Sequence, residues 1–367
     1  MSKKKRIGIL TGGGDCPGLN AAIRAVVHTA IRHYDLEVIG ILDGFAGLVF
    51  QTTVPLGFPQ VSGILTRGGT ILGSSTRANP FKMTCEEKGR QVTKDRSQEA
   101  FVTYEKLGLG GIIVVGGDGT LTIAKELRDK FGMKVVGVPK TIDNDLSATD
   151  VTFGFETAVI TASEAIDKLQ TTAESHHRVI FVEVMGREAG WIGLYSGMAG
   201  GADAILIPEI PYVTKKLAEK IERREKYGMN FSIVVVAEGA RPVGGKMSVI
   251  EKPDQPWSLP RLGGAAHRVA DEIEKMTRKE TRVTVLGHIQ RGGTPTAFDR
   301  NLASRFGVEA VNLIAKGRFG RMVCVHGRDI DTVALEDAVG RQKLVDSKGE
   351  MVMAAKALGI EFGDAES

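Results

Sequence analysis

Between Val136 and Asp150 the chain reads VGVPKTIDNDLSATD, an apolar approach followed at once by Lys140, Asp143, Asp145 and Asp150. Carboxylates crowded this closely repel one another, and a segment that had only to turn would not carry that cost. A polar turn accounts for Asn144 and one aspartate. It does not account for the repeated acids directly after an apolar run. A kinase acting on an alcohol needs a carboxylate within reach of the acceptor hydroxyl and cations beside the moving phosphoryl group. The segment offers Asp143 as base, Thr141 and Lys140 as donors, and Asp145 as a second carboxylate.

Two glycine-rich loops extend this chemistry. LTGGGDCPGLNAAIR places Gly12, Gly13 and Gly14 between an apolar run and a helical pattern, where bare backbone and a helix amino terminus suit an anion. It is neither a Walker A loop nor the dinucleotide spacing, and a tight strand-to-helix turn explains it as well as phosphate binding does. VVGGDGTLTIAKEL sets Asp118 between glycines. There its carboxylate can reach a cation bridging phosphate oxygens, while Gly117, Gly119 and Thr120 leave room for those oxygens and donate to them. The plain alternative makes Asp118 a helix N-cap. The GGDGT element is shared with families resembling NAD kinases and diacylglycerol kinases, so it points to a phosphoryl donor without naming an acceptor.

The elements that position these residues are legible as alternation. Runs such as RIGILT, GIIVVG, KVVGVP, RVIFVEV, AILIPE, FSIVVVAEG, TRVTVLG and RMVCVHG are rich in Val and Ile and apolar on both faces, as strands covered by helices must be. Helical spacing predicts helices over 18–33, 121–129, 156–169, 215–227, 262–276 and 296–314. The expected class is therefore α/β with largely parallel sheets. In such sheets ligands bind beyond the carboxyl ends of the strands. Residues 12–15, 116–120, 140–145 and 185–187, with Glu238 and 288–291, each follow a predicted strand.

Composition supports a globular protein of two domains, because 367 residues exceed the size at which one core keeps growing. A net charge of +4 with dispersed basic residues gives no bulk attraction to nucleic acid. The short run Lys3–Arg6 reads as a solvated terminus rather than a signal peptide, and no apolar run approaches the length of a membrane span. Cys16, Cys85 and Cys324 lack metal-ligand spacing and read as thiols of a reducing compartment. The Pro- and Gly-containing stretch 241–260 is expected to be a long surface loop.

The motifs GGDGT, PKTIDND, HHRVIFVEVMGREAG, AEGA and ETRVTVLGHIQRGG occur in the order and at roughly the spacings of the 6-phosphofructokinase family, which the chain resembles from Arg6 to about Gly327. The resemblance implies two Rossmann-like domains with the active site in the cleft between them. Residues 1–154 with about 290–340 would bind the nucleotide, and 155–289 with about 341–367 the sugar phosphate. It implies ATP-dependent phosphorylation of fructose 6-phosphate at its 1-hydroxyl, a glycolytic and cytoplasmic activity. Asp143 would be the base, with Thr141 and Arg187 steadying the phosphoryl group. Asp118 would hold Mg²⁺, and Gly13, Arg77 and Gly117–Thr120 would lie at the nucleotide. Ile142, Met185, Gly186 and Glu238 would meet the sugar together with Thr141, Asp143 and Arg187. Arg178, Arg282, His288 and Arg291 would take its phosphate, which calls for guanidinium groups. In this family some of these arginines come from a neighbouring subunit, so a homodimer or homotetramer is implied.

Two positions bear on the donor. Pyrophosphate-using relatives carry a second aspartate where this chain has Gly119, and a lysine where it has Lys140. A missing carboxylate admits ATP, whereas a lysine need not reject it, so ATP is the expected donor. Pyrophosphate, or another sugar phosphate as acceptor, is the alternative. Arg24 and Arg67 match part of the basic effector cluster of bacterial relatives, but His28 stands where an arginine is usual. A weak or altered effector response is therefore expected.

Overall fold

The computed structural model describes residues 5–87, 90–251 and 260–365. Lys3 and Lys4 of the basic run, and 252–259 of the Pro- and Gly-containing stretch, lie outside the described residues. The described part of that stretch is largely irregular and at least partly exposed, but Val249–Glu251 form a short strand.

In chain order the strands are β1 (Arg6–Thr11), β2 (Glu37–Ile41), β3 (Thr53–Leu56), β4 (Met83–Glu87), β5 (Arg90–Lys94), β6 (Leu109–Gly116), β7 (Val135–Pro139), β8 (Val179–Val184), β9 (Ala204–Leu206), β10 (Ser232–Ala237), β11 (Val249–Glu251), β12 (Arg261–Leu262), β13 (Thr281–Val285), β14 (Arg321–His326) and β15 (Asp329–Ala334). The chain divides into two compact units. The first runs to Thr141 and takes in Leu146–Glu156 and Arg291–Gln342. The second comprises Ile142–Asp145, Thr157–Gln290 and the chain from Lys343. The sequence reading ran its first domain without a break to 154, whereas Ile142–Asp145 groups with the second unit.

The first unit carries a seven-stranded sheet in the order β15-β14-β7-β6-β1-β2-β3. The strands from β14 to β2 run parallel, with β15 and β3 antiparallel at the edges. Sequence order reverses between β1 and β6. This is the kind of switch point at which α/β sheets open a crevice, and the loops that leave these two strands are the two glycine-rich ones. β7 is buried along its whole length, which explains its lack of alternation. The helix Asp118–Phe131 buries Leu121, Ala124 and Leu127 on one face. Leu10, Ile112, Val114, Val135 and Met322 join them in the core, each buried large apolar side chain contributing about 2 kcal/mol.

The second unit carries a four-stranded parallel sheet, β13-β8-β10-β9. Its core gathers Phe181, Leu206, Val234 and Val236 with Ala266, Val269 and Ile273 of the helix Ala265–Thr277. That helix starts three residues later than its periodicity suggests, because Gly263 and Gly264 take φ of 145° and 78°. Glu183 of β8 then accepts the N–H groups of Gly264 (3.0 Å) and Ala266 (2.9 Å), satisfying free donors at the helix start.

Several described elements lie outside the predicted runs, among them the helices Ser97–Leu107 and Glu350–Ala357. Trp191–Ala199 is a short helix whose buried Ile192, Gly193, Leu194, Ser196 and Gly197 occupy more than one face. The hairpin β4–β5 lies in a mixed, charged segment without a clean two-residue alternation. No helix among the described residues is long and apolar enough to cross a membrane.

Candidate active site

In the first unit the two glycine loops meet over one side chain. Gly12 donates to the Val115 carbonyl at 2.9 Å, and Gly13, at φ 78°, donates to the Ser75 carbonyl at 3.1 Å. A Cβ on Gly12 would stand 2.7 Å from Thr120 Cγ2, and one on Gly116 only 2.4 Å from Thr120 Cβ. Nothing larger than glycine lets these loops close on the buried Thr120. Ser74 adds a hydrogen bond to the Gly13 carbonyl at 2.6 Å. Arg77 is exposed, with its backbone N–H on Ser75 Oγ at 3.2 Å.

Asp118 is the first residue of its helix, behind Gly117 at the N-cap. Its side chain makes no cap hydrogen bond. Instead Oδ1 accepts the N–H of Gly340 at 2.7 Å, tying the loop to the segment that follows β15. The N-cap alternative therefore fails. Gly119 is exposed, and a Cβ built on it would have nothing within 4 Å.

Lys140 and Thr141 lie at the end of β7 and are almost fully buried. The Lys140 N–H bonds the Gly116 carbonyl at 3.0 Å, and its ammonium donates to the Gly14 carbonyl. Arg291, expected at the sugar phosphate, belongs to the first unit, where its guanidinium donates to the Asp15 carbonyl at 3.1 Å. A Cβ on Gly14 would lie 2.5 Å from that guanidinium. The glycine loop is thus held by two cations through its backbone oxygens.

In the second unit the structure brings together Asp143, Arg187 and Glu238. Ile142 and Asp143 are buried, and Asn144 turns the chain at φ 53°, a conformation that Asn tolerates. Met185 and Gly186 follow β8. Gly186 takes φ 139°, and a Cβ there would meet the Ala189 carbonyl at 2.5 Å. The Arg187 N–H donates to Glu238 Oε1 at 3.1 Å, across the ends of the paired strands β8 and β10. Burial first, and the nearby Asp143 charge second, push the Glu238 carboxyl up to about 7, well above its ordinary value.

Arg178 and Arg282 form a second group, organised on Glu280. Arg178 reaches it at 2.9 Å, and Arg282 pairs with it while also donating to the Thr281 carbonyl at 2.7 Å. The Arg178 Nε is buried with no hydrogen-bond partner. His288 lies exposed in the short 3-10 turn Gly287–Arg291. Sequence reasoning missed Glu280 and Ser74. Glu280 lies in a quoted motif, so its charge between two arginines was an available signal, whereas Ser74 carried none.

Among the described residues no group of three or more His, Cys, Asp or Glu side chains could hold a metal ion. Asp118 presents a single hard carboxylate at a helix start, which fits an Mg²⁺ ion held by one or two carboxylates and phosphate oxygens rather than by a protein cage. The thiols take no part. Burial drives Cys16 up to about 12 and Cys324 to about 11.

Residues 6–314 match the family model described as Phosphofructokinase. The chain is 52% identical to the ATP-dependent 6-phosphofructokinase 2 of Clostridium perfringens, over 99% of this chain and 100% of that one. It is also 53% identical to the pyrophosphate–fructose 6-phosphate 1-phosphotransferase of Amycolatopsis methanolica, over 93% of this chain and 96% of the relative. Among solved structures, a phosphofructokinase from Saccharomyces cerevisiae superposes with a TM-score of 0.78 at 31% identity. That match covers 91% of this chain and 45% of the larger yeast chain.

Proposed function

The chain belongs to the phosphofructokinase family, and from that premise we propose that it transfers the γ-phosphoryl group of ATP to the 1-hydroxyl of fructose 6-phosphate. The observation that carries the acceptor half is the group at the ends of β8 and β10. There buried Asp143 stands near Glu238, whose carboxyl is pushed up to about 7 by burial and by the Asp143 charge. A carboxyl pushed up in this way can keep a proton and donate a hydrogen bond to the sugar, which leaves Asp143 as the residue that accepts the hydroxyl proton. Asp143 takes the hydroxyl proton as the phosphoryl group moves. Thr141 and Arg187 orient that group and offset its charge.

The donor half rests on the paired glycine loops, whose lack of side chains and helix starts suit the nucleotide phosphates. Asp118 is the residue that would hold Mg²⁺, which when bound neutralises charge on the phosphate oxygens. Open space at Gly119 supports ATP, since no side chain there crowds an α-phosphate. The Lys140 ammonium bonds the Gly14 carbonyl, which supports a role in bracing the loop. Lys140 itself and the similarity to a pyrophosphate-named relative favour the second reading, a pyrophosphate-dependent transferase. We assign Arg178, Arg282, His288 and Arg291 to the sugar phosphate, the oligomer to a homodimer or homotetramer, and the location to the cytoplasm.

The test is formation of fructose 1,6-bisphosphate by the purified protein with Mg²⁺, comparing ATP with pyrophosphate. Product from ATP alone is expected, and product from pyrophosphate alone would overturn the donor assignment. Gly119→Asp has room to fold and is expected to lower kcat/KM for ATP at least about tenfold. Unchanged ATP kinetics would remove the steric basis of the choice.

A further inference from the structure

Lys343 lies outside every motif noted in the sequence, yet several contacts of the second unit converge on it and on Val345. Its backbone N–H donates to the Asp145 carbonyl at 2.8 Å, and its ammonium donates to Asn144 Oδ1 at 3.1 Å. Its carbonyl accepts the indole N–H of Trp191 at 2.7 Å, and the ammonium stands 5.6 Å from the centre of that ring. Two residues on, the Val345 N–H donates to Glu209 Oε1 at 2.9 Å. The same carboxylate takes the Gly190 N–H at 2.9 and 3.1 Å. Burial raises the Glu209 carboxyl, so these backbone donors satisfy a group that would otherwise be costly to keep ionised.

The pieces held are the two that carry the proposed chemistry. Asn144 and Asp145 follow Asp143 in a turn that needs a left-handed residue. Gly190 and Trp191 begin the helix that the Arg187 loop leads into. We propose that Lys343–Val345 is a strap that fixes the Asp143 turn and the Arg187 loop in one geometry, and that Lys343 is a positioning residue for phosphoryl transfer. The inference rests on the reading of Asp143 as base, and it adds a residue that touches neither substrate. A displacement of about 1 Å at a reacting group costs up to about a hundredfold in rate, so the loss falls on kcat rather than on donor binding.

The experiment compares Lys343→Met, Asn144→Gly and the double variant with the unmodified protein. Glycine keeps the left-handed turn while removing the Oδ1 acceptor. Each single variant is expected to lower kcat about tenfold or more with KM for ATP within about twofold. The double is expected to lose no more than the worse single, because both remove one interaction. Amide hydrogen exchange over 142–145 is expected to quicken in both singles. Multiplicative losses, or a raised KM with unchanged kcat, would overturn the positioning role. If the unmodified protein transfers no phosphoryl group, the kinase reading fails, and the exchange measurement alone decides the strap. Unchanged protection of 142–145 would then overturn it.

Discussion

Asp143 and Glu238 are two carboxyls whose difference in role comes from their surroundings. Glu238 is costly to ionise, because it is buried beside a charge of the same sign. Its folded-state value of about 7 stands above the 4.5 of an ordinary glutamate. The folded chain therefore holds this proton more tightly than the unfolded chain does. The stability that results is fully present below about pH 4.5, declines as pH rises through that window, and is gone above about 7. Glu238→Gln, with no charge to bury, is expected to melt higher than the unmodified protein at pH 8 and to show no such gain at pH 4.5. Equal differences at the two pH values would dismiss the shift. Asp143→Ser should lower kcat by about a hundredfold or more with modest change in either KM. A loss within about tenfold would remove Asp143 from the role of base.

At the scale of elements, the site depends on how closely strand ends approach. The Arg187 loop after β8 lies against the turn after β10, and a Cβ on Gly239 would stand 1.9 Å from the Arg187 carbonyl. One of the two segments must shift to admit it. Gly239→Ala is expected to destabilise the fold by about 1–3 kcal/mol through this overpacking. It should also lower kcat, since the backbone that must move carries Arg187. Thermal unfolding with steady-state kinetics checks both effects, and a variant with native stability and native kcat would show that the approach is slack. The same logic holds the glycine loops to Thr120 in the other unit. Most helices were visible in the sequence because their apolar faces recur over several turns. The Trp191–Ala199 helix was not, because its burial spans more than one face and leaves no stripe. The start of the Ala265–Thr277 helix was misplaced because backbone conformation at Gly263 and Gly264, not hydrophobic spacing, sets it.

For the whole molecule, Arg178 and Arg282 sit together on Glu280, with Arg282 largely exposed. If they serve the sugar phosphate of a neighbouring copy, sedimentation should give two or four times the 39.4 kDa chain mass. Asp143→Asn and Arg282→Ala proteins, each nearly inactive, should then regain activity when their subunits are mixed and reassembled. A monomer at assay concentration, or no recovery from a mixed oligomer, would place the arginines in the service of their own chain. The sequence by itself determined the α/β class, the strands that lead into the motifs and the residues at their carboxyl ends, because these follow from local periodicity and from residue types a few positions apart. Tertiary structure alone decided which of those residues share a site. It joined Arg187 to Glu238 across 51 positions and Lys343 to Asn144 across 199. It also bonded Arg291 to the Asp15 carbonyl across 276 positions and grouped Ile142–Asp145 with the second unit. Such pairings, and the upward push that burial gives the Glu238 carboxyl, depend on distances through space, which no spacing along the chain records.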